Sequence, residues 1–202
     1  MIKREIAPGI SVYSDVIDGH ESLVNDIEDG VKSAQISWHS AEVLVDDKNA
    51  VSDKKIRDTD SISVQYIDYS IEQDEEIFGY LDAFNKNLAR IFYDGFTECE
   101  KNYQNIYGVS FPEHKNYEVL RYGKGQLFKN HVDDHPELHR RISTVYYLND
   151  NYEGGAISFP RFNVTYKPKA NDFLIFPSTY VYNHSISEVT SGTRYAVVSW
   201  IK

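Results

Sequence analysis

From residue 116 onward, short runs of β-branched and aromatic residues alternate with Gly, Pro, Asn and Asp. The runs cover 117–122, 127–133, 142–148, 156–159, 163–166, 172–176, 183–187 and 194–201, a spacing that predicts the strands of an antiparallel sandwich or barrel. A double-stranded β-helix (jelly-roll) core is the economical assembly. Upstream the pattern changes. Leu23, Val24, Ile27 and Val31 recur at helical spacing within 20–34, and Ile77, Leu81, Phe84, Leu88 and Ile91 do so within 73–93, so two helices are expected. Segments 37–45 and 61–69 read as strands, and 46–60 as a long polar loop. A loop of that length is either a lid or disordered. The whole predicts a mainly β chain with N-terminal helices packed on one outer face. It forms a single domain, 1–202, in which 1–115 supports a core at 116–202.

Composition narrows the setting. With 41% hydrophobic residues among 202, the chain can close a core, and its single Cys99 rules out an internal disulfide or a thiolate zinc cluster. No run approaches the roughly 18 apolar residues of a membrane span, and no secretory signal is evident, so a soluble, cytoplasmic protein is expected. The net charge is −10, but the halves differ: 1–100 holds 9 basic and 22 acidic residues, 101–202 holds 12 and 9. An acidic first half disfavours nucleic-acid binding, which needs phosphate neutralisation. The basic second half suits a small anion.

Three features suggest chemistry. In a strand, residues i and i+2 point to one side, so His131 and Asp133 present an imidazole and a carboxylate together, and Pro136 places them near a strand end. His184, about fifty residues later, is the best-placed third ligand; His20, His39, His114, His135 and His139 are less suitable. Two imidazoles and one carboxylate form the ligand set of non-heme Fe(II) oxygenases, though they also serve catalytic zinc. Arg194 opens the last run on the face of Ala196, Val198 and Trp200, where the pattern otherwise demands core. Buried Arg is rare without a partner, and its planar fork suits a carboxylate.

Taken in order, Tyr122-Gly123-x-Gly125, His131-x-Asp133, Tyr146-Tyr147-Leu148-Asn149, Gly154-Gly155-x-x-x-Phe159, Pro168-x-x-x-Asp172-x-Leu174-x-Phe176, His184 and Gly192-Thr193-Arg194-Tyr195-x-x-x-x-Trp200 resemble the prolyl 4-hydroxylase branch of the 2-oxoglutarate, Fe(II)-dependent dioxygenases. The resemblance covers 117–202. It implies that His131, Asp133 and His184 hold Fe(II), that Arg194 binds the far carboxylate of 2-oxoglutarate, and that Tyr147 and Tyr122 line the cosubstrate pocket. O₂ completes the reactants, with succinate and CO₂ as co-products and ascorbate as a possible requirement. Asp133 favours hydroxylation over halogenation, since related halogenases carry a small residue there. Arg140 and Trp200 resemble substrate-mouth residues, although Trp200 equally fits a barrel plug and Arg140 a solvated charge. Gly154-Gly155 reads as a tight turn, and 46–60 resembles a peptide-covering segment in location.

The implied reaction is hydroxylation of an unactivated C–H, with peptidyl proline the family's commonest target. A peptide, a protein or a small molecule all remain open as substrate, and no oligomeric state is legible. Two alternatives stand beside this reading: a zinc-dependent hydrolase and a non-catalytic jelly-roll binding module. No His-Glu-x-x-His segment supports the first.

Overall fold

The computed structural model describes residues 2–44, 50–51, 53–65, 79–112, 116–134 and 139–202. The strands in chain order are β1 (Ile2–Ala7), β2 (Ile10–Ser14), β3 (His39–Ser40), β4 (Val43–Leu44), β5 (Ala50–Val51), β6 (Asp60–Gln65), β7 (Asn116–Tyr122), β8 (Phe128–His131) and β9 (Ile142–Tyr147). They continue as β10 (Glu153–Gly154), β11 (Ile157–Phe159), β12 (Val164–Tyr166), β13 (Asp172–Pro177), β14 (His184–Ile186), β15 (Val189–Ser191) and β16 (Arg194–Ile201). Helices α1 (Leu23–Ser33) and α2 (Gly79–Tyr107) precede the core.

Two antiparallel sheets face each other. The larger runs β1-β2-β13-β9-β16-β7-β6-β3 and the smaller β12-β11-β14-β8, which is the strand arrangement of a jelly roll. The larger sheet is buried on both faces, so alternate residues enter different cores. On β16, Ala196 and Val198 join Tyr122, Tyr147, Leu174 and Phe176 in the layer between the sheets, while Val197 and Ile201 join Tyr146 and Phe173 beneath the helices. Phe96 of α2 anchors that outer layer, with its ring 4.7 Å from Phe173 and 5.2 Å from Tyr146. No helix among the described residues is long and apolar enough to cross a membrane.

Several boundaries differ from expectation for identifiable reasons. Helix α2 runs on to Tyr107 instead of stopping near Tyr93, because Phe92, Phe96, Cys99 and Tyr103 continue its buried stripe. Gly95 within it is no break: a Cβ there would lie 2.6 Å from Ile17 Cγ1, so the glycine admits the chain before α1. The expected 37–45 strand is two short pieces, β3 and β4, which pair with different partners, β6 and β5. The N-terminal strands join the core sheet directly, as β2 pairs with β13 and β6 with β7. Residues 66–69 of the second expected strand, Ile77 of the α2 stripe, and 46–49 and 52 of the proposed lid lie outside the described residues. The rest of that loop is pinned, with Asp58 N donating to Leu127 O and Lys129 N to Ile56 O.

Helix α1 approaches α2 through Gly30, where a Cβ would fall 2.0 Å from the Phe84 ring. Gly30→Ala sets a gain in helix propensity of about 1 kcal/mol against overpacking of about 1–3 kcal/mol. The clash is severe enough that the substitution should lower stability, read as an earlier midpoint in urea unfolding.

Candidate metal centre and carboxylate pocket

The smaller sheet brings the three candidate ligands together. In the β8–β14 ladder His131 pairs directly with His184, and their rings lie 4.3 Å apart. Asp133 falls two residues past the end of β8, outside the strand expected to carry it, yet the pleat persists: Val132 is exposed while Asp133 is buried. Asp134 N donates to Ser178 O and fixes this exit from the strand. His131 Nε2 is then 3.4 Å from Asp133 Oδ1 and His184 Nε2 3.7 Å from Oδ2, with all three ligand atoms within 4.8 Å of one another.

Both imidazoles are oriented by the backbone two residues before them. His131 Nδ1 lies 2.8 Å from Lys129 O and His184 Nδ1 3.1 Å from Tyr182 O. A carbonyl accepts only from a protonated Nδ1, which leaves each Nε2 lone pair directed at the common point. Burial pushes the His184 pKa down to about 4, with Asp133 opposing, so this ring is neutral and free to ligate. Burial alone would raise the Asp133 carboxyl, but His184, His131 and the Ser143 hydroxyl together hold it well below the usual carboxylate range. Ser143 Oγ donates to Asp133 Oδ2 at 2.6 Å and meets Ser178 Oγ at 2.8 Å. An ionised carboxylate beside two imidazoles that each turn Nε2 toward it suits a divalent cation.

Support reaches further than the ligands. The Phe128 ring stacks on His131 at 3.5 Å, and the guanidinium of Arg57 lies 5.1 Å from the Phe128 centroid. Arg57 is itself buried, donating to Glu42 O and approaching Glu118 at 3.5 Å. Phe159 and Phe176 flank His184 at 5.6 and 5.0 Å.

Arg194 is 1% exposed and faces the layer between the sheets, as its place on β16 predicts. Its guanidinium lies 4.8 Å from the Tyr122 ring and 5.2 Å from Tyr147. Its Nε and Nη1, together with the hydroxyls of Tyr147 and Tyr152, find no hydrogen-bond partner among the described residues. Each such orphan costs about 1–3 kcal/mol, so this group of donors suits an acceptor that the described residues do not supply. A carboxylate matches its charge and geometry. Gly155 makes the pocket possible: at φ +62, a Cβ there would sit 2.9 Å from both Arg194 Cδ and Tyr152 Cε2. Its role is therefore more than the turn expected of it.

Arg140 and Trp200 also meet, the guanidinium 3.8 Å from the indole centroid and 3.4 Å from Asp133 O. Sequence reasoning missed Tyr152, Ser143, Ser178, Phe128 and Arg57. Tyr152, three residues before Gly155 and within a Gly-bounded turn, carried a weak signal; the others look like ordinary strand or loop residues until the sheets are assembled.

The chain is similar to known proteins in both sequence and fold. Residues 117–202 match the 2OG-Fe(II) oxygenase superfamily. A PKHD-type hydroxylase of Prochlorococcus marinus (strain NATL1A) is 34% identical over 84 residues, 39% of this chain and 37% of the relative, so the match spans well under half of that protein. In fold the chain is similar to a prolyl-4-hydroxylase of Pseudomonas putida, with TM-score 0.63 at 15% identity over 96% of this chain and 92% of the other. It is also similar to a Trichoplax adhaerens prolyl hydroxylase in complex with a hypoxia inducible factor peptide fragment, with TM-score 0.62 at 17% identity over 96% and 83%. Residues 117–202 are thus similar to the 2OG-Fe(II) oxygenase superfamily, and the fold is similar to that of prolyl 4-hydroxylases.

Proposed function

We propose that the chain is a 2-oxoglutarate- and Fe(II)-dependent dioxygenase that hydroxylates an unactivated C–H bond, most readily of peptidyl proline, in the cytoplasm and as one domain. The observation that carries this reading is the coincidence of two incomplete sites in one apolar layer. His131, Asp133 and His184 bring three ligand atoms within 4.8 Å of one another, while donors of Arg194, Tyr147 and Tyr152 find no acceptor among the described residues.

His131, Asp133 and His184 would hold Fe(II) through Nε2, a carboxylate oxygen and Nε2. When bound, Fe(II), 2-oxoglutarate and O₂ supply the oxidising chemistry, one oxygen atom entering the substrate and the other the succinate formed with loss of CO₂. The chain's own part is geometry and exclusion of water. Arg194 takes the far carboxylate of the cosubstrate, with the Tyr147 and Tyr152 hydroxyls donating beside it and the Tyr122 ring forming a wall. Burial pushes the Tyr147 phenol up, with Arg194 opposing, so it keeps its proton and remains a donor. Phe159, Phe176, Ile157, Ile186 and Val189 enclose the space with apolar side chains, which strengthens every charge interaction inside it. Arg140 and Trp200 form one edge of the mouth, where the substrate C–H is presented. Peptidyl proline is favoured by the prolyl hydroxylases of similar fold, one of them bound to a peptide.

The direct test is aerobic conversion of 2-oxoglutarate to succinate with Fe(II) and ascorbate, together with a mass gain of one oxygen atom in proline-containing peptides. His131→Ala and Arg194→Ala should each abolish both signals. Turnover that persists with zinc and without 2-oxoglutarate would instead mark a hydrolase, and no turnover a binding module.

Gly155→Ala crowds the Arg194 stem without touching the metal ligands. It should raise KM for 2-oxoglutarate by about tenfold or more, a cost of roughly 1.4 kcal/mol or more, while Co(II) binding followed by visible absorption stays unchanged.

Arg57→Ala should act on the opposite site. Losing the guanidinium that backs Phe128 frees the His131 ring, so Co(II) affinity should fall by about tenfold, the lower range for residues that support a metal ligand. An unchanged Co(II) titration would show that Phe128 holds the ring unaided.

A further inference from the structure

A cleft of about 680 Å³ opens on the helix side of the larger sheet, at the end where β9 begins and β13 and β16 finish. It is separate from the layer between the sheets: Tyr103, Phe111 and Ile142 in its lining belong to the core beneath the helices. Asp134 and Arg140 form the wall nearest the candidate metal centre, one residue from Asp133 and over the face of Trp200 respectively. Its size is that of a working binding pocket, within about 300–1,000 Å³.

The floor is aromatic and rigid. Tyr103, Tyr107 and Tyr182 contribute rings whose hydroxyls are already engaged: Tyr103 donates to Gly9 O, Tyr107 to Glu5 Oε1 and Tyr182 to Pro8 O. With their polar tips tied to the β1–β2 connection, these rings offer faces, not hydrogen bonds. The rim is cationic. Among the described residues, Arg140, Arg141 and Lys202 line the cleft against one carboxylate, Asp134. Arg141 reaches only the Ser110 carbonyl at 3.5 Å, and neither it nor Lys202 has a carboxylate partner among the described residues. His139 holds a left-handed backbone, φ 50, immediately before this pair of arginines.

In a chain of net charge −10 such a rim is out of keeping with the remaining surface. An acidic partner is repelled elsewhere and attracted here, which fixes its register more than its total affinity. A small molecule confined between the sheets would not reach the cleft. A ligand that uses both must be extended and pass the Arg140 and Asp134 wall.

We propose that this cleft is an exosite for an acidic, extended segment of the polypeptide substrate, adjoining the residue presented at the His131, Asp133 and His184 cluster; this rests on the oxygenase reading above. Aromatic faces take the backbone and apolar stems, and Arg141 and Lys202 take the carboxylates. Acidic flanking sequence then becomes a determinant of which sites the enzyme selects.

The probe is an array of proline-containing dodecapeptides in which the flanking positions are varied among Asp, Asn and Lys, incubated with the full chain. Capture should concentrate on Asp-bearing spots and weaken with ionic strength. In Arg141→Glu/Lys202→Glu, capture of the Asp spots should drop roughly tenfold and Lys spots should gain. The variant should retain the melting temperature and the substrate-free succinate production of the parent. The His131→Ala protein should capture the same spots as the parent, because the exosite needs no metal. Capture that ignores peptide charge, absence of any capture, or indifference to the double charge reversal would overturn the proposal. Charge-selective capture without succinate formation would support the acidic-segment site and overturn the oxygenase reading, so the two failures are distinguishable.

Discussion

The pairing of β14 with β8 is the constraint on which the site depends. It sets His184 opposite His131, and a slip of one residue in either strand would turn its imidazole out of the layer between the sheets. The register is held by more than its own short ladder. Loop 53–60 bonds to the outer edge of β8 through Asp58 and Lys129, and Asp134 is bonded to Ser178 beyond the end of β13. Three separate parts of the chain thus converge on one four-residue strand. The two backbone carbonyls that fix the imidazole tautomers belong to the same strands or the turn before them, so ligand orientation follows from strand position.

That strand is weak by itself, and its rigidity is borrowed from the larger sheet. Strand β9 lies between β13 and β16 with all its residues buried. From it Ser143 reaches Asp133, while Tyr147 stands beside Arg194. The N-terminal half contributes through the opposite face. Helix α2 sets Phe92 and Phe96 against Tyr117, Tyr146 and Phe173, which immobilises the strands whose alternate residues line the pocket. Helix packing and site geometry are therefore two faces of one sheet.

Much of this arrangement was legible in the sequence because the period of two separates the faces of each strand. The positions of Arg194 and Tyr147 follow from that alternation, and the eight core runs correspond to β7, β8, β9, β11, β12, β13, β14 and β16 within a residue or two at most ends. What escaped is tertiary in origin. Gly95 looks like a helix stop until Ile17 is seen filling its space, and Gly155 looks like a turn residue until the Arg194 stem lies against it. Ser143 and Arg57 have no local signature, since one hydrogen bond to a carboxylate and one stacked ring are invisible until distant segments meet. The short β10 and β15 pair two residues with three, too little for periodicity to register.

The local rules that this chain breaks are concentrated near one end of the molecule. A buried guanidinium keeps unpaired donors, Gly154 and Gly155 both take positive φ, and two imidazoles crowd a carboxylate. Such features each cost of the order of 1–3 kcal/mol, and they persist because the apolar layers around them are continuous. A fold selected for stability alone would exchange Arg194 for an aliphatic residue, since its neighbours Ala196 and Val198 show what the layer accepts. The retention of a charge where packing favours none, in the same layer as two imidazoles and a carboxylate turned to one point, is what separates a binding site from an ordinary β-sandwich core. The same reasoning ranks the two halves of the site. The imidazoles and Asp133 partly satisfy one another, but Arg194 Nε and Nη1 are left without a hydrogen-bond partner among the described residues, beside the rings of Tyr122 and Tyr147. The Arg194 pocket is thus the half whose energetics call for an acceptor, and the His131, Asp133 and His184 cluster the half whose geometry would admit a cation.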